Sequence, residues 1–254
     1  MIRPYILSET NWRHLKQETI DLAILPWGAT EAHNYHLPYG TDNYQAEGMV
    51  HRAAEMAWKA GHKVMVLPTI PYGVNTGQPD IYLDMNLNPS TQLAILKDLV
   101  TVLHRQGIYK LLLFNGHGGN DFKPLVREVG LHFPEMFISF CFFPAMLDKS
   151  AYFQEKGDHA DEMETSLMLY LHEDLVLPKT EWGSGANKKF KISAFNQGGV
   201  WAERKWSKVT EDTGVGNPAY ATKEKGEAFF TEVCKNLAHL FGDICQADLN
   251  DLYQ

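Results

Sequence analysis

At 254 residues, with 44% hydrophobic and 21% charged side chains, the chain has the composition of an ordinary soluble globular protein, long enough to bury one sizeable α/β core or two small ones. A net charge of −8 gives no ground for expecting nucleic acid or an anionic membrane as partner. The three cysteines, Cys141, Cys234 and Cys245, are scattered and form no CxxC pair, which argues against a disulfide framework and against a thiolate zinc site.

No apolar run approaches the ~20 residues of a membrane span. The N-terminal stretch from Met1 to Thr10 carries no signal-peptide core, so a cytoplasmic location is expected. Residues 8–20 read as a short helix packed through Trp12, Leu15 and Ile20. Residues 22–27 (Leu-Ala-Ile-Leu-Pro-Trp) form a continuous apolar run, suited to a strand covered on both faces. A dense polar cluster, Glu31 to Asp42, follows it. From Tyr44 to Ala60, Ala46, Met49, Val50, Ala53, Met56 and Ala57 recur at helical spacing, with Gly61 as a stop.

Val64-Met65-Val66-Leu67 predicts a second buried strand, and residues 72–88 a loop rich in Gly, Asn and Pro. Asn88-Pro89 has the form of a cap and first turn for a helix carrying Leu93, Leu96, Leu99, Val100 and Leu103, ending near Gly107. Tyr109–Phe114 is the third strand, Phe122–His132 a helix and Phe137–Phe143 the fourth strand. An irregular stretch at 144–158 precedes a helix from about Ala160 to His172. The long segment 178–218 has little pattern, and loops of that length inside a compact domain are usually functional or disordered. A helix from about Thr222 to Ala247 closes the chain. Strands alternating with helices predict a mostly parallel sheet with helices on both faces, in a single domain over residues 1–254. Right-handed crossovers would put every strand-to-helix loop on one edge, where ligand sites of open α/β sheets lie.

Glu31, His33, His36, Asp42, His117, His159, Asp161, Glu162 and Glu164 collect on that edge. Oxygen and imidazole donors without thiolate suit Zn²⁺, Mn²⁺ or Fe²⁺. Several carboxylates beside several imidazoles suit two metals about 3.5–4 Å apart better than one, with a carboxylate between them.

Three segments then resemble the creatininase (creatinine amidohydrolase) family. Residues 28–42, Gly-Ala-Thr-Glu-Ala-His-Asn-Tyr-His-Leu-Pro-Tyr-Gly-Thr-Asp, are similar to its signature G-S-x-E-Q-H-G-P-H-L-P-x-x-T-D. Residues 115–120, Asn-Gly-His-Gly-Gly-Asn, and 159–166, His-Ala-Asp-Glu-Met-Glu-Thr-Ser, resemble its second and third motifs. The resemblance implies a three-layer α/β/α domain with a binuclear metal centre that hydrolyses a cyclic or linear amide C–N bond with a metal-bridged hydroxide. It also implies a homo-oligomer, commonly a hexamer. Of the divalent ions Zn²⁺ is favoured, with Mn²⁺ or Fe²⁺ as alternatives. By position, Glu31 and His117 would hold one ion and His33 the other, with Asp42 bridging. The creatininase glutamate two residues after the histidine of the second motif is Gly119 here, and Glu164 is the replacement expected for it. His159 is implied in proton transfer, with Glu164 beside it as a catalytic candidate.

There are departures: Ala32 replaces Gln, Asn34-Tyr35 replaces Gly-Pro, and the 72–88 loop lacks the family's His and F-P-G-T run. They leave the metal chemistry intact and the substrate open, so creatinine is not assumed. The backbone of Gly118 and Gly119, at the start of the next helix, could hold an oxyanion. His36 reads as a structural residue or one that orients a ligand. Asp161 and Glu162 read as surface acids favourable at a helix start, and Trp12, Trp58 and Phe229-Phe230 as core. Trp201, after Gly198-Gly199, could line a substrate pocket. Lys188, Lys189, Lys191, Arg204, Lys205 and Lys208 against Glu203 mark a solvated or subunit-contacting loop, or a cationic lid for an anionic substrate. The expected function is therefore a metal-dependent amidohydrolase of a small, non-peptide amide. A deformylase or peptide-processing enzyme of the same family and a non-catalytic metal-binding scaffold are the alternatives.

Overall fold

The apolar runs become four parallel strands in a computed structural model that describes residues 2–254. They are β1 (Leu22–Trp27), β2 (Val64–Val66), β3 (Lys110–Asn115) and β4 (Phe137–Phe142), hydrogen-bonded in the order β2-β1-β3-β4. Register is set along β1, where Ile24 stands opposite both Val66 and Leu112, and Trp27 opposite Asn115. The helices are α1 (Trp12–Leu15), α2 (Thr41–Lys59), α3 (Pro89–Arg105), α4 (Phe122–His132), α5 (Glu162–Leu171), α6 (Trp206–Val209) and α7 (Lys223–Gln246).

Because side chains alternate along a strand, β1 and β3 feed two separate apolar layers. Leu22, Ile24, Leu112 and Phe114 pack against α2, α5 and α7 through Met49, Ala53, Leu167, Phe229 and Val233. Ala23, Leu25, Trp27, Leu111 and Leu113 pack against α3 and α4 through Leu96, Val100, Phe122 and Val129. Each fully buried Leu, Ile or Phe contributes roughly 1.5–3 kcal/mol, which is why runs apolar on every residue are central strands here. The three-layer α/β/α reading holds.

Local differences have physical causes. The helix expected over 8–20 shrinks to a 3₁₀ turn at Leu7–Glu9 and the four residues of α1, and Trp12 is 77% exposed instead of core. Trp58 is partly buried against the core, and Phe229 and Phe230 lie within it. Helix α2 starts at Thr41, earlier than the apolar spacing suggests, so Asp42 sits in its first turn. Acidic groups are favoured there by the helix dipole. Among the described residues no helix is long and apolar enough to cross a membrane.

Candidate metal centre

The chain leaves β1 for β2 on one side of it and returns to β3 on the other, so the carboxyl ends of β1 and β3 flank a topological switch point. Glu31 and His33 follow β1, and His117 follows β3. Two asparagines shape the second loop. Asn115 Oδ1 accepts from His117 N at 3.0 Å and from Asn120 Nδ2 at 3.1 Å, closing the Asn-Gly-His-Gly-Gly-Asn turn. Asn120 Oδ1 accepts from Val74 N at 3.1 Å and Gln92 Nε2 at 2.8 Å, tying that turn to the 72–88 loop and α3. Trp27 Nε1 donates to Tyr72 O at 2.9 Å, so the same loop is anchored on β1.

Helix α5 delivers the third group. Asp161 caps it by accepting from Met163 N and Glu164 N. Ala160, at φ 48°, takes a left-handed conformation that costs a non-glycine residue about 1–2 kcal/mol, and its N–H is held by the Glu164 carboxylate. Asn34, beside His33, is also left-handed at φ 54°. Strain of this kind concentrates at functional sites.

Three overlapping sets of donors converge, each with its atoms within 4.8 Å: Glu31–Asp42–His117, His33–Asp42–Glu164 and Glu31–His33–His159. All six residues are at most 7% exposed. Each histidine ring is fixed by a backbone carbonyl. His117 Nε2 donates to Val74 O at 3.0 Å, His33 Nδ1 to Glu31 O at 3.0 Å, and His159 Nε2 to Ala32 O at 2.8 Å. These bonds set the tautomers and turn the remaining nitrogens inward. His117 Nδ1 lies 2.7 Å from Glu31 Oε1 and 3.0 Å from Asp42 Oδ2, while His33 Nε2 lies 3.1 Å from Asp42 Oδ1 and 4.0 Å from Glu164 Oε2. Glu31 Oε1 and Asp42 Oδ2 are nevertheless buried without a hydrogen-bond partner. Acceptors facing acceptors at this range need a cation or an extra proton between them, and the set fits divalent metal ions. Asp42 alone belongs to both the Glu31–His117 and the His33–Glu164 sets.

The electrostatics agree. Burial opposes a charged His33, yet Asp42, with Glu164 and Glu31 beyond it, pushes its pKa up to about 10. Burial likewise opposes a charged His117, but Glu31 and Asp42 hold it well above its ordinary value. Glu31, disfavoured by burial, is held well below the usual carboxylate range by His117, His159 and His33. Burial, with Asp42 and Asp161 nearby, pushes Glu164 up to about 8 against the pull of His33. His159 goes the other way: burial and the charge of His33 lower it, leaving a neutral imidazole. Its Nδ1 faces Glu31 Oε1 at 3.9 Å.

The remaining residues singled out from the sequence make other contacts. His36 touches none of these groups; its Nε2 meets Thr165 Oγ1 at 2.9 Å and its ring stacks on Trp182 at 4.8 Å, bracing the turn that follows Glu164. Asp161 and Glu162 are buried instead of surface acids, Asp161 as the α5 cap and Glu162 in an ion pair with Lys225. Gly118 and Gly119 lie in the turn before α4, whose own cap is Asp121, and so not at the helix start. A Cβ on Gly119 would stand 2.3 Å from Val74 O and 2.4 Å from His117 Nε2, so only glycine admits the bond that fixes His117. Trp201 is 83% exposed and borders a depression of about 280 Å³ with Asp158, Phe190, Phe195 and Arg204, a lining that includes none of the six converging donors. The residues that motif reading missed come from the 72–88 loop and the short helix α6. Asp84 Oδ1 accepts from Ala32 N at 2.7 Å, and burial pushes its pKa up to about 6. Gln78 Nε2 donates to Glu31 Oε2, and Trp206 meets the His159 ring edge-on at 5.3 Å. An amide and a tryptophan in unpatterned segments carry no sequence signal for such roles.

The family model for creatininase, creatinine amidohydrolase, matches residues 8–241. A 3-dehydro-scyllo-inosose hydrolase of Thermotoga maritima is 30% identical over 66% of this chain, and the match spans only 55% of that relative's length. A mycofactocin precursor peptide peptidase of Mycolicibacterium smegmatis is 27% identical over 86% of this chain and 83% of its own. A Bacteroides fragilis crystal structure, provisionally described as a creatinine amidohydrolase, superposes with a TM-score of 0.93 at 40% identity over the full length of both chains. A Zn–Zn form of a creatininase mutant shares the fold at a TM-score of 0.75 and 19% identity, over 96% of this chain and 99% of that one. The chain belongs to the creatininase family.

Proposed function

We propose that the protein is a metal-dependent amidohydrolase holding two divalent ions per chain, with a small-molecule amide as substrate. The observation that carries this reading is the convergence of inward-facing histidine nitrogens on two buried carboxylate oxygens that have no other partner. Glu31 and His117 would hold one ion, His33 and Glu164 the other, and Asp42 both. Zn²⁺ is favoured by the nitrogen and oxygen donors, with Mn²⁺ or Fe²⁺ as alternatives. When bound, such ions supply acidification of water and polarisation of a carbonyl. His159 then acts as the proton carrier: its neutral Nδ1 takes the proton of the attacking water and returns it to the leaving nitrogen as the C–N bond breaks. Asp84 and Gln78 hold the backbone and carboxylate around which this happens.

Burial of all six central residues favours a small substrate, or the end of a longer one, over a folded chain. A cytoplasmic location, expected from the sequence, and a homo-oligomer, by resemblance to the family, are part of the same reading. The test is metal content per chain, by elemental analysis of protein purified without chelators, followed by a screen of lactams, hydantoins, formamides and short peptides. Two ions with turnover of a non-peptide amide support the proposal. Turnover confined to peptides makes the protein a peptide-processing member, and no metal even after titration with Zn²⁺ and Mn²⁺ refutes the reading.

A further inference from the structure

Gln78, 47 residues along the chain from Glu31, is 6% exposed and directs its Nε2 at Glu31 Oε2 at 2.5 Å. A carboxylate only accepts, so the amide must present its NH₂ side there. Its other contact is a long one, 3.4 Å to Asn75 Oδ1, and its own Oε1 is buried without a partner. Leaving that oxygen unpaired is unfavourable, and a residue that merely filled the loop would gain nothing from it. What the arrangement achieves is selection: with Oε2 occupied, Glu31 turns Oε1 toward His117 Nδ1 at 2.7 Å and His159 Nδ1 at 3.9 Å.

Both flanks of Gln78 are gripped by one stretch far along the chain. Trp206 N donates to Gly77 O at 3.0 Å, Thr76 Oγ1 bonds Glu203, and Ser207 Oγ bonds Asp80. A Cβ on Gly77 would lie 2.5 Å from Arg204 O, so the two backbones touch where glycine alone permits. The same stretch rests on the centre, through the edge of Trp206 on His159.

We infer that Gln78 is a positioning residue for the Glu31 carboxylate, and that residues 203–207 form a strap holding it in register, so that the ion at Glu31 and His117 depends on the strap. This rests on the reading of Glu31 and His117 as metal ligands. The test titrates chelator-stripped protein with Zn²⁺ against a chromophoric competitor, resolving two affinities per chain, and records the melting temperature of each stripped variant. Gln78→Leu keeps the bulk and removes the donor; it weakens one ion about 10- to 100-fold and leaves the other unchanged. The double variant Thr76→Val/Ser207→Ala weakens the same ion roughly three- to tenfold. If Gln78→Leu does not fold, the double variant decides alone. Two unchanged affinities overturn the inference. So does an equal loss at both ions with a lowered melting temperature, which would mark Gln78 as packing. A wild-type chain that binds no Zn²⁺ would instead remove the ligand reading on which the inference stands.

Discussion

Asp42→Ala is the sharpest perturbation of the centre. Asp42 Oδ1 lies 3.1 Å from His33 Nε2 and Oδ2 lies 3.0 Å from His117 Nδ1, so one carboxylate faces the inward nitrogens of both donor sets. Structural zinc sites bind with roughly 10–16 kcal/mol shared among about four ligands, or about 2.5–4 kcal/mol per ligand. Losing one ligand therefore weakens a site by about 100- to 1,000-fold. A terminal ligand inflicts that on one ion; Asp42 inflicts it on both. Competition titration with Zn²⁺, with elemental analysis after dialysis, should find neither ion retained. The stripped protein should suffer too, because removing one partner of a buried charge pair costs about 3–5 kcal/mol, measurable by urea unfolding. A variant that keeps both ions at wild-type affinity refutes the bridging role. One that loses a single ion assigns Asp42 to one site.

Glu164→Gln should weaken one ion and spare the other, since Glu164 belongs only to the His33 set; an unchanged titration would leave Glu164 outside the ligands. Stability of the stripped chain should fall with alkali. His33, raised from 6.5 to about 10, adds stability that is complete below pH 6.5 and gone above pH 10, and Glu164, raised to about 8, acts in the same sense from pH 4.5 to 8. Zn²⁺ must displace those protons, so its affinity should rise over that window; a flat dependence would contradict the assignment. On the acid side, burial pushes His36 down to about 4, so the unfolded chain takes up a proton the folded one refuses between pH 6.5 and 4. That removes on the order of 3 kcal/mol, and a His36→Phe variant should lose this slope in pH-dependent urea unfolding. Gly119→Ala should destabilise by about 1–3 kcal/mol and weaken the ion at His117, because the methyl lands on the Val74 carbonyl and the His117 ring; full stability and metal content would show that the turn can yield.

The elements legible in the sequence are those whose residues do one job by themselves. Residues 22–27 are apolar throughout because β1 is covered on both faces, and the pattern says so directly. Glu31, His33 and His117 stand out because each follows such a run, and strand ends are where this topology opens a crevice. The first helix misled because helical spacing alone does not say that a surface exists to receive Trp12, and none does. The start of α2 misled because a polar first turn, Thr41 and Asp42, breaks the apolar rhythm although the helix dipole favours it. What no residue pattern could carry is the orientation of the centre. Three histidines are set by the carbonyls of Val74, Glu31 and Ala32, and a carbonyl has no side-chain signature. Gln78 and the strap at 203–207 act across separations of 47 and about 127 residues, as contacts that exist only once the loops have closed over the sheet. The candidate ligands are therefore written in motifs, while the geometry that would make them ligands is written in the loops between them. That is also why the departures at Ala32, Asn34 and the 72–88 loop bear on substrate and on ligand posture more than on the presence of the centre.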